Sequence, residues 1–406
     1  MNARNIITRT LRAAWQQLCR CARGVTLAFS TVAVMVTAML VSCERTPDLH
    51  LLKVTPVRLT IARLAVEIST YWDYRLVYNV AYDWETDWYY GWDDEDRNIF
   101  GEQGYREPGV FNFRRYYTGN TPYAKHTNVI ANTIEGREYA GYFEFGYWDM
   151  LVWNDIQTID NVQSLNFDET ASLDSVIAYT NESMRSSRYM APRYTRSFYQ
   201  PEPLFSAYEQ AIEINENHDG FIYDEERDVW IKILSMKLRP ITYIYLTQVI
   251  IHNNNNRVVS VDGTSDLSGM ARTMNVNNGK GGSDAITTHY SVRLKRDCDM
   301  NGEKVDIVGG RLMTFGICDL QANDVQTAAD VKDSYRHYMD VTMQFNNGMD
   351  STLVFDVTDQ VRHFFRGGVI TVELDMDTIP IPRRSGGSAF NAVVEEFKEE
   401  THEIEM

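Results

Sequence analysis

Short segments in which apolar and polar residues alternate recur along this 406-residue chain, with turns between them. Apolar side chains fall at every second position over residues 75–84, and residues 139–153 alternate before becoming continuously apolar. A period of two is typical of a strand with one buried face, and a continuous apolar run is typical of a strand covered on both faces. Heptads typical of long helices are scarce. The chain is therefore predicted to be all-β.

The second half repeats this pattern more regularly. Strands are predicted over 229–238, 241–251, 289–296, 310–317, 338–345, 351–357 and 369–375. Pro240 separates the first two, as expected of a residue confined to strand starts and edges. Asn347-Gly348 predicts a type I′ hairpin turn. Closely spaced strands with hairpin turns and no long helices between them predict antiparallel β-sandwiches.

The N-terminus carries a different signal. An apolar run at 24–40 follows a segment with five arginines and no acidic residue, and it leads into Leu40-Val41-Ser42-Cys43. A basic stretch, an apolar core and a small-residue cleavage site are typical of a secretory signal. The ending resembles the lipobox of bacterial lipoproteins, in which the cysteine is acylated. We expect residues 1–42 to be a lipoprotein signal peptide and Cys43 to carry lipid. The alternative is a transmembrane anchor with an incidental cysteine, for which the run is short.

The net charge and the length of the chain restrict its possible partners and its number of domains. The formal charge of −17 becomes more negative once the basic signal is removed, so nucleic-acid binding is not expected. No second apolar run could cross a bilayer, which leaves the N-terminal lipid as the expected membrane contact. The remaining length favours two domains. We predict sandwich domains over 43–225 and 226–384, followed by a Gly/Ser link and tail over 385–406.

Several motifs, taken in order, resemble a known family. They are Cys43-Glu44-Arg45, Tyr82-Asp83-Trp84, YWDMLVWN at 147–154, PLFSAY at 203–208, LRPITYIY at 238–245, LSGMA at 267–271, TFG at 314–316 and FDVTDQV at 355–361. Each alone is a strand or a turn, and their order is the specific part. The chain resembles a family of uncharacterised (DUF) Bacteroidales lipoproteins related to the fimbrillin-associated (FimB-like) anchor proteins.

The resemblance implies a fold, a place and a role. The fold is two tandem transthyretin-like or Ig-like antiparallel sandwiches, and the place is the outer membrane, with the lipid-anchored protein facing the cell surface. The role is fimbrial anchoring or adhesion, with no catalytic residues and no cofactor. The chain departs from the family in a long acidic, aromatic insertion at 87–104.

That insertion is a candidate ligand contact. It offers the indoles of Trp88 and Trp92 beside the carboxylates of Asp93 and Asp94. Exposed indoles are used as sugar platforms, so glycan contact is one hypothesis, and the alternative is that the tryptophans fold inward as loop core. Catalysis is not expected, because carboxylates in a solvated acidic run lack the raised pKa that a glycosidase acid needs.

The cysteines and an acidic turn leave two questions open. Cys298 and Cys318 could form a disulfide worth about 3 kcal/mol or remain two unpaired thiols. Asp297-x-Asp299-x-Asn301-Gly302 has the opening spacing of a calcium loop, but Val308 stands where a bidentate Glu is needed. A polar hairpin tip is the favoured interpretation, and no metal site is predicted.

The chain also lacks the nucleophile-elbow, zinc and phosphate-loop motifs of common enzymes.

The C-terminal tail is a candidate donor strand. Val393, Phe397, Ile404 and Met406 are apolar residues among glutamates. Such a segment could add to an open sheet edge of a fimbrial subunit, as fimbrillin-type pili are thought to assemble. The alternatives are that it pairs with its own sheet or is disordered.

The sequence thus predicts a non-enzymatic, lipid-anchored structural or anchoring component of fimbriae. The alternative is a surface glycan- or protein-binding lipoprotein that uses the Trp88 and Trp92 segment.

Overall fold

The computed structural model describes residues 14–16, 60–68, 87–105, 108–126, 128–136, 138–156, 164–172, 175–183, 196–215, 217, 219–226, 229–325 and 327–382. The chain divides into two compact units, Met1–Leu59 and Thr60–Met406. Only the short helical stretch 14–16 is described in the first unit. Cys43, the predicted strand at 75–84 and the tail residues Val393, Phe397, Ile404 and Met406 lie outside the described residues.

The first sheet of the second unit has eight strands: β1 (Thr60–Ile68), β2 (Val110–Gly119), β3 (Asn128–Glu135), β4 (Glu138–Phe143), β5 (Gly146–Asn154), β9 (Phe205–Ile214), β10 (Phe221–Asp224) and β11 (Val229–Pro240). Their order is β3-β2-β5-β9-β11-β1-β4, with β10 also paired to β11. Most of β11 pairs with β1 and β10, whereas its last two residues pair with β9. β11 is therefore shared by two layers, and a core of aromatic and aliphatic side chains lies between them, including Phe113, Trp148 and Met236.

The second sheet has the same plan. Its strands are β8 (Ser197–Phe198), β12 (Tyr243–His252), β13 (Val258–Ala271), β15 (Ala285–Met300), β16 (Glu303–Thr314), β17 (Tyr338–Phe345), β18 (Asp350–Asp356) and β19 (Gly368–Asp375), in the order β18-β17-β13-β15-β16-β12-β19, with β8 on β15. The first half of β15 pairs with β13 and the second half with β16, so β15 is the shared strand here. A larger core that includes Tyr290, Leu312 and Val341 fills the sandwich.

The predicted all-β, sandwich-type fold is confirmed, because the described residues form mainly antiparallel sheets. Among the described strands, three pairs are parallel, namely β1–β11, β12–β19 and β8–β15. A third, three-stranded sheet contains β6 (Leu165–Ser172), β7 (Ser175–Thr180) and β14 (Thr273–Asn275). The predicted boundary at 225/226 stays a prediction. β11 lies beyond it and yet pairs within the first sheet.

The connection between the two sandwiches is short and buried. β11 ends at Pro240 and β12 begins at Tyr243, so that only Ile241 and Thr242 separate them, and both side chains are buried. The Ile241 amide donates to the carbonyl of Leu204, whose own amide donates to the Thr242 hydroxyl at 2.9 Å. Both linker residues are therefore hydrogen-bonded to Leu204, which immediately precedes β9.

The hairpin at Asn347-Gly348 forms with a different turn from the one predicted. The Phe345 amide donates to the Met349 carbonyl, the Gly348 amide donates to the Phe345 carbonyl at 2.9 Å, and Gly348 has a φ of 76°. Only Gly348 in the loop is left-handed, so the connection is a three-residue loop and not a two-residue type I′ turn. Beyond it, helix α2 (Thr358–His363) leads to β19.

Candidate functional site

The acidic insertion folds as a strap across the second sandwich. We use "strap" for residues 87–105, which contain helix α1 (Asp94–Phe100). In sequence the strap lies between β1 and β2 of the first sheet, but its aromatic side chains pack on β12 and β16 of the second. The alternative that the tryptophans fold inward therefore holds for Trp88, because the aromatic residues of this segment have an apolar sheet face to cover. Of the acidic side chains in the segment, only Asp96 is buried.

The local sequence defines where α1 begins and ends. The Asp93 side chain accepts a hydrogen bond from the Asp96 amide at 2.9 Å, and the Asp96 side chain accepts one from the Asp93 amide at 2.8 Å. This reciprocal arrangement is a capping box, which satisfies two amides that a helix start leaves unpaired. Acidic residues in the first turn favour the positive end of the helix dipole. Gly101, with a φ of 81°, ends the helix.

The strap covers the outer face of β12. Tyr243, Tyr245 and Val249 of this strand belong to the sandwich core, whereas Ile244, Leu246 and Ile250 point to the other face and contact the strap. Every residue of β12 except its last is buried. A strand with no solvent-facing side needs a second apolar layer, and the strap supplies it.

Trp88 and Tyr90 form that layer. They are 7% and 3% exposed, and their ring centroids are 5.4 Å apart. The Tyr90 ring lies directly on Gly309 of β16, where an added Cβ would come within 2.3 Å of a ring carbon. A glycine is therefore required at this point of the sheet for the strap to pack closely.

A buried carboxylate fastens the strap. Asp96 is fully buried, and it accepts hydrogen bonds from the Tyr90 hydroxyl at 2.9 Å, from Arg293 at 2.9 Å and from Lys295 at 2.5 Å. Asp93 lies 3.1 Å from Arg293 and 3.0 Å from Lys295. Glu95 also pairs with Arg293, so three strap carboxylates meet two cations on β15. A buried charge is tolerated only when it is paired and hydrogen-bonded in this way.

The electrostatic environment shifts two neighbouring groups. The hydrogen bond from the Asp96 amide, together with the hydrogen bonds from Lys295 and Arg293, holds the pKa of the Asp93 carboxyl well below its ordinary value. Burial, with the hydrogen bond to Asp96, raises the pKa of the Tyr90 phenol far above its ordinary value. Asp93 is therefore ionised, and Tyr90 is a neutral donor, across the physiological range.

Backbone contacts hold the two ends of the strap. The Gln248 side chain on β12 accepts from the Tyr89 amide at 3.1 Å and donates to the Asp87 carbonyl at 2.7 Å. At the other end, the Tyr105 hydroxyl donates to the Thr242 carbonyl at 2.6 Å, and Arg311 donates to the Gln103 carbonyl at 3.1 Å. The strap is bound along its whole length.

The residues predicted to contact a ligand therefore do not form an open platform. Trp88 is in the core and donates its indole N–H to the Gly91 carbonyl at 2.9 Å, and Trp92 is half-buried against Phe100. Asp94 is exposed and pairs with Arg97. A sugar could stack on Trp88 only after the strap had left the sheet.

The cysteines and the acidic turn lie elsewhere in the second sandwich. Cys298 and Cys318 are both free thiols, so the unpaired alternative is the one that the structure shows. Cys318 belongs to the sandwich core, while Cys298 packs with the cluster under the strap, on the other side of the sheet. Burial raises the pKa of the Cys318 thiol to about 12, which makes it unreactive.

The calcium-like motif is a hairpin tip. Asn301 and Gly302, with φ of 54° and 92°, connect β15 to β16. Asp299 accepts from the Gly302 amide at 2.9 Å and pairs with Lys304. The carboxylate thus caps its own turn. Among the described residues, no group of three His, Cys, Asp or Glu side chains could hold a metal ion, and no described helix has the length and apolar character needed to cross a bilayer.

Several of the fastening residues were missed from the sequence. Asp96, Arg293 and Lys295 received no role, although two signals were available. Asp93-x-x-Asp96 has the spacing of a capping box, and Arg293 and Lys295 alternate on one face of a strand. Nothing in the sequence indicated that these two features meet.

Two buried histidine–aspartate pairs were also missed. His126 lies 2.8 Å from Asp149, which also accepts from the amide of Ala211 at a bulge between β5 and β9. His337 lies 2.7 Å from Asp333, and neither side chain of this second pair is exposed. The first pair fixes a loop to β5, whereas the second lies within the loop that precedes β17.

Several solved structures have a fold similar to this one. No family model and no curated protein sequence matches the chain. Among solved structures, a candidate adhesin from Bacteroides ovatus is 12% identical with a TM-score of 0.44, covering 79% of this chain and 94% of that one. A second, from Bacteroides thetaiotaomicron, is 8% identical with a TM-score of 0.44, covering 79% and 93%.

The fimbrial anchor protein Mfa2 from Porphyromonas gingivalis is 12% identical with a TM-score of 0.39, covering 78% of this chain and 90% of that one. These are the kinds of protein that the order of the motifs resembles. At these identities and scores the likeness is one of fold and assigns no activity.

Proposed function

We propose that this chain is a lipid-anchored cell-surface protein that serves as a structural or anchoring component of fimbriae, or in adhesion, and carries out no reaction. Acyl chains on Cys43 would hold it in the outer membrane, since burial of lipid contributes about 0.8 kcal/mol per methylene. The two sandwiches would then connect the lipid to a partner outside the membrane.

The observation that carries this proposal is that the sandwiches are connected at several places. One connection is the buried pair Ile241 and Thr242, another is the strap, which leaves the first sheet and packs on the second, and a third is the pairing of β8 with β15. When a tether is under tension, its weakest contact breaks first, so a strong contact between the two sandwiches is useful in an anchor. Buried apolar packing together with the Asp96 cluster favours a pair of sandwiches that move together.

The anchor is tested by mass spectrometry of the mature protein isolated from membranes. The expected N-terminal residue is acylated Cys43, and the protein should partition with the membrane fraction. A Cys43→Ser variant should lose both properties. An unmodified N-terminus at another position in the wild-type protein contradicts the proposal.

The fimbrial role is tested by co-purification of the protein with fimbriae from native envelopes, with and without residues 389–406. If the tail donates a strand, its deletion abolishes binding and leaves the melting temperature unchanged. If the tail pairs with its own sheet, its deletion lowers the melting temperature markedly. Replacing the tail glutamates with glutamine is the matched control, because it keeps the apolar side chains in place. Failure of the full-length protein to bind any fimbrial subunit refutes the fimbrial role.

A further inference from the structure

Three isoleucines form an unusual surface on the first sandwich. Ile222 of β10 and Ile233 of β11 are 61% and 53% exposed, and Ile231 beside them is half-buried. On β11 the residues of opposite parity, such as Leu234 and Met236, point into the core. Ile231 and Ile233 therefore belong to the outer face of the layer β4-β1-β11-β10. We call Ile222, Ile231 and Ile233 the apolar stripe.

The stripe is contiguous on two neighbouring strands. Ile222 of β10 pairs with Ile231 of β11, and Ile233 lies two residues further along β11 on the same face. Contiguous apolar surface on a sheet face that is otherwise polar marks a site of contact with another apolar phase or a partner.

The path of the chain indicates which phase this is. β1 begins at Thr60, one residue before the position that pairs with Ile231, and Thr60 follows Cys43 by 17 positions. The chain that would come from the lipid therefore enters the sheet beside the apolar stripe. Even fully extended, 17 residues span about 60 Å, so the start of β1 stays within that distance of the acylated cysteine.

Charge near the stripe indicates the kind of lipid. β10 ends at Asp224, and the connection to β11 contains Glu225, Glu226, Arg227 and Asp228, so acidic residues predominate. Glu225 and Glu226 are exposed. Carboxylates beside the contact would be repelled by an anionic bilayer within a Debye length of about 8 Å at physiological salt. Net-neutral zwitterionic headgroups impose no such penalty.

We propose that the apolar stripe is a second membrane contact, by which the outer face of this layer rests on a zwitterionic phospholipid surface once Cys43 is acylated. This contact rests on the proposed lipid anchor, and it would set the orientation of the first sandwich on the membrane. The anchor supplies a high local concentration, so a weak interfacial contact is sufficient.

The experiment places an environment-sensitive fluorophore on the stripe of the acylated full-length protein. Ile233→Cys is labelled with nitrobenzoxadiazole in a Cys298→Ser background, and the protein is reconstituted in vesicles of phosphatidylcholine and phosphatidylethanolamine. Ile99→Cys is the matched control, because Ile99 is similarly exposed, at 44%, but lies on the strap helix. We expect a blue-shifted emission and several-fold weaker iodide quenching at position 233 and no change at position 99. Adding Ile222→Asp should reverse the shift at 233.

Three outcomes overturn the proposal and can be told apart. If the protein floats with the vesicles but the label at 233 stays accessible to iodide, the stripe does not touch the bilayer although the anchor stands. If the protein does not associate with vesicles at all, the anchor itself fails. A blue shift that persists in detergent and rises with protein concentration means that a second copy of the chain covers the stripe.

Discussion

Replacing Asp96 with asparagine tests whether one buried carboxylate fastens the strap. The variant Asp96→Asn keeps the shape of the side chain but removes the charge that faces Arg293 and Lys295. Breaking a buried ion pair by removing one partner costs about 3–5 kcal/mol. Both cations retain Asp93, at 3.1 and 3.0 Å, Arg293 also retains Glu95, and both cations are partly exposed. The expected loss is therefore near the lower end, at about 3 kcal/mol.

A loss of this size should be visible in two assays. The first is unfolding: urea denaturation followed by tryptophan fluorescence reports the free energy of unfolding, and on heating the melting temperature should fall by about 4 °C. Hydrogen exchange should accelerate in peptides from residues 87–105, because the strap opens before the sandwich does. Asp94→Asn is the control: its side chain is 96% exposed and pairs only with Arg97 among the ion pairs found, so its effect should stay within about 0.5 kcal/mol. If Asp96→Asn matches the control in both assays, the Asp96 cluster does not hold the strap.

Three further results follow from the same structure. Trp88→Ala should lower the free energy of unfolding by about 3–5 kcal/mol in urea unfolding, because it leaves a cavity between the strap and the sheet, and a loss below about 1 kcal/mol would contradict the burial of this indole. Gly309→Ala should cost about 2 kcal/mol in the same assay, since the new methyl group collides with the Tyr90 ring, whereas Gly109→Ala, with open space around it, should be nearly neutral. Burial opposes ionisation of Asp333, but its histidine partner, a backbone amide and a nearby arginine together hold its pKa below the ordinary value. Its stabilising contribution is therefore present above the ordinary aspartate pKa and is lost as the pH falls from about 5 towards 2, so Asp333→Asn should flatten the pH dependence of stability measured over that range.

The strand pattern was accessible from the sequence because it is a local property. Alternation at residues 139–153 corresponds to β4 and β5, and β12 coincides with the predicted strand at 241–251. The continuous apolar run at 150–153 indicated a strand covered on both faces, and β5 is buried throughout that run. What covers the outer face of β12 could not be derived, because the strap lies more than a hundred residues earlier in the chain.

The acidic insertion shows most clearly where local reasoning stops. Its composition is that of a solvated loop, and only contact with β15 and β16 changes the environment of Asp96 and Tyr90. A carboxylate in water and a carboxylate between two cations have the same sequence signature. The free thiols follow the same logic, since loop length alone allowed a disulfide that the placement of Cys298 and Cys318 on opposite sides of a sheet does not make.

Residue order alone therefore determined that this chain is built from strands, that a hairpin turns at Asn347-Gly348, and that position 43 is the candidate for lipid. Tertiary structure decided which strands are shared between layers, which aromatic residues lie inside, and where isoleucines remain exposed. The physical reason is that backbone periodicity is set by neighbours a few residues apart. Burial and charge pairing depend instead on what the rest of the chain brings to the same place.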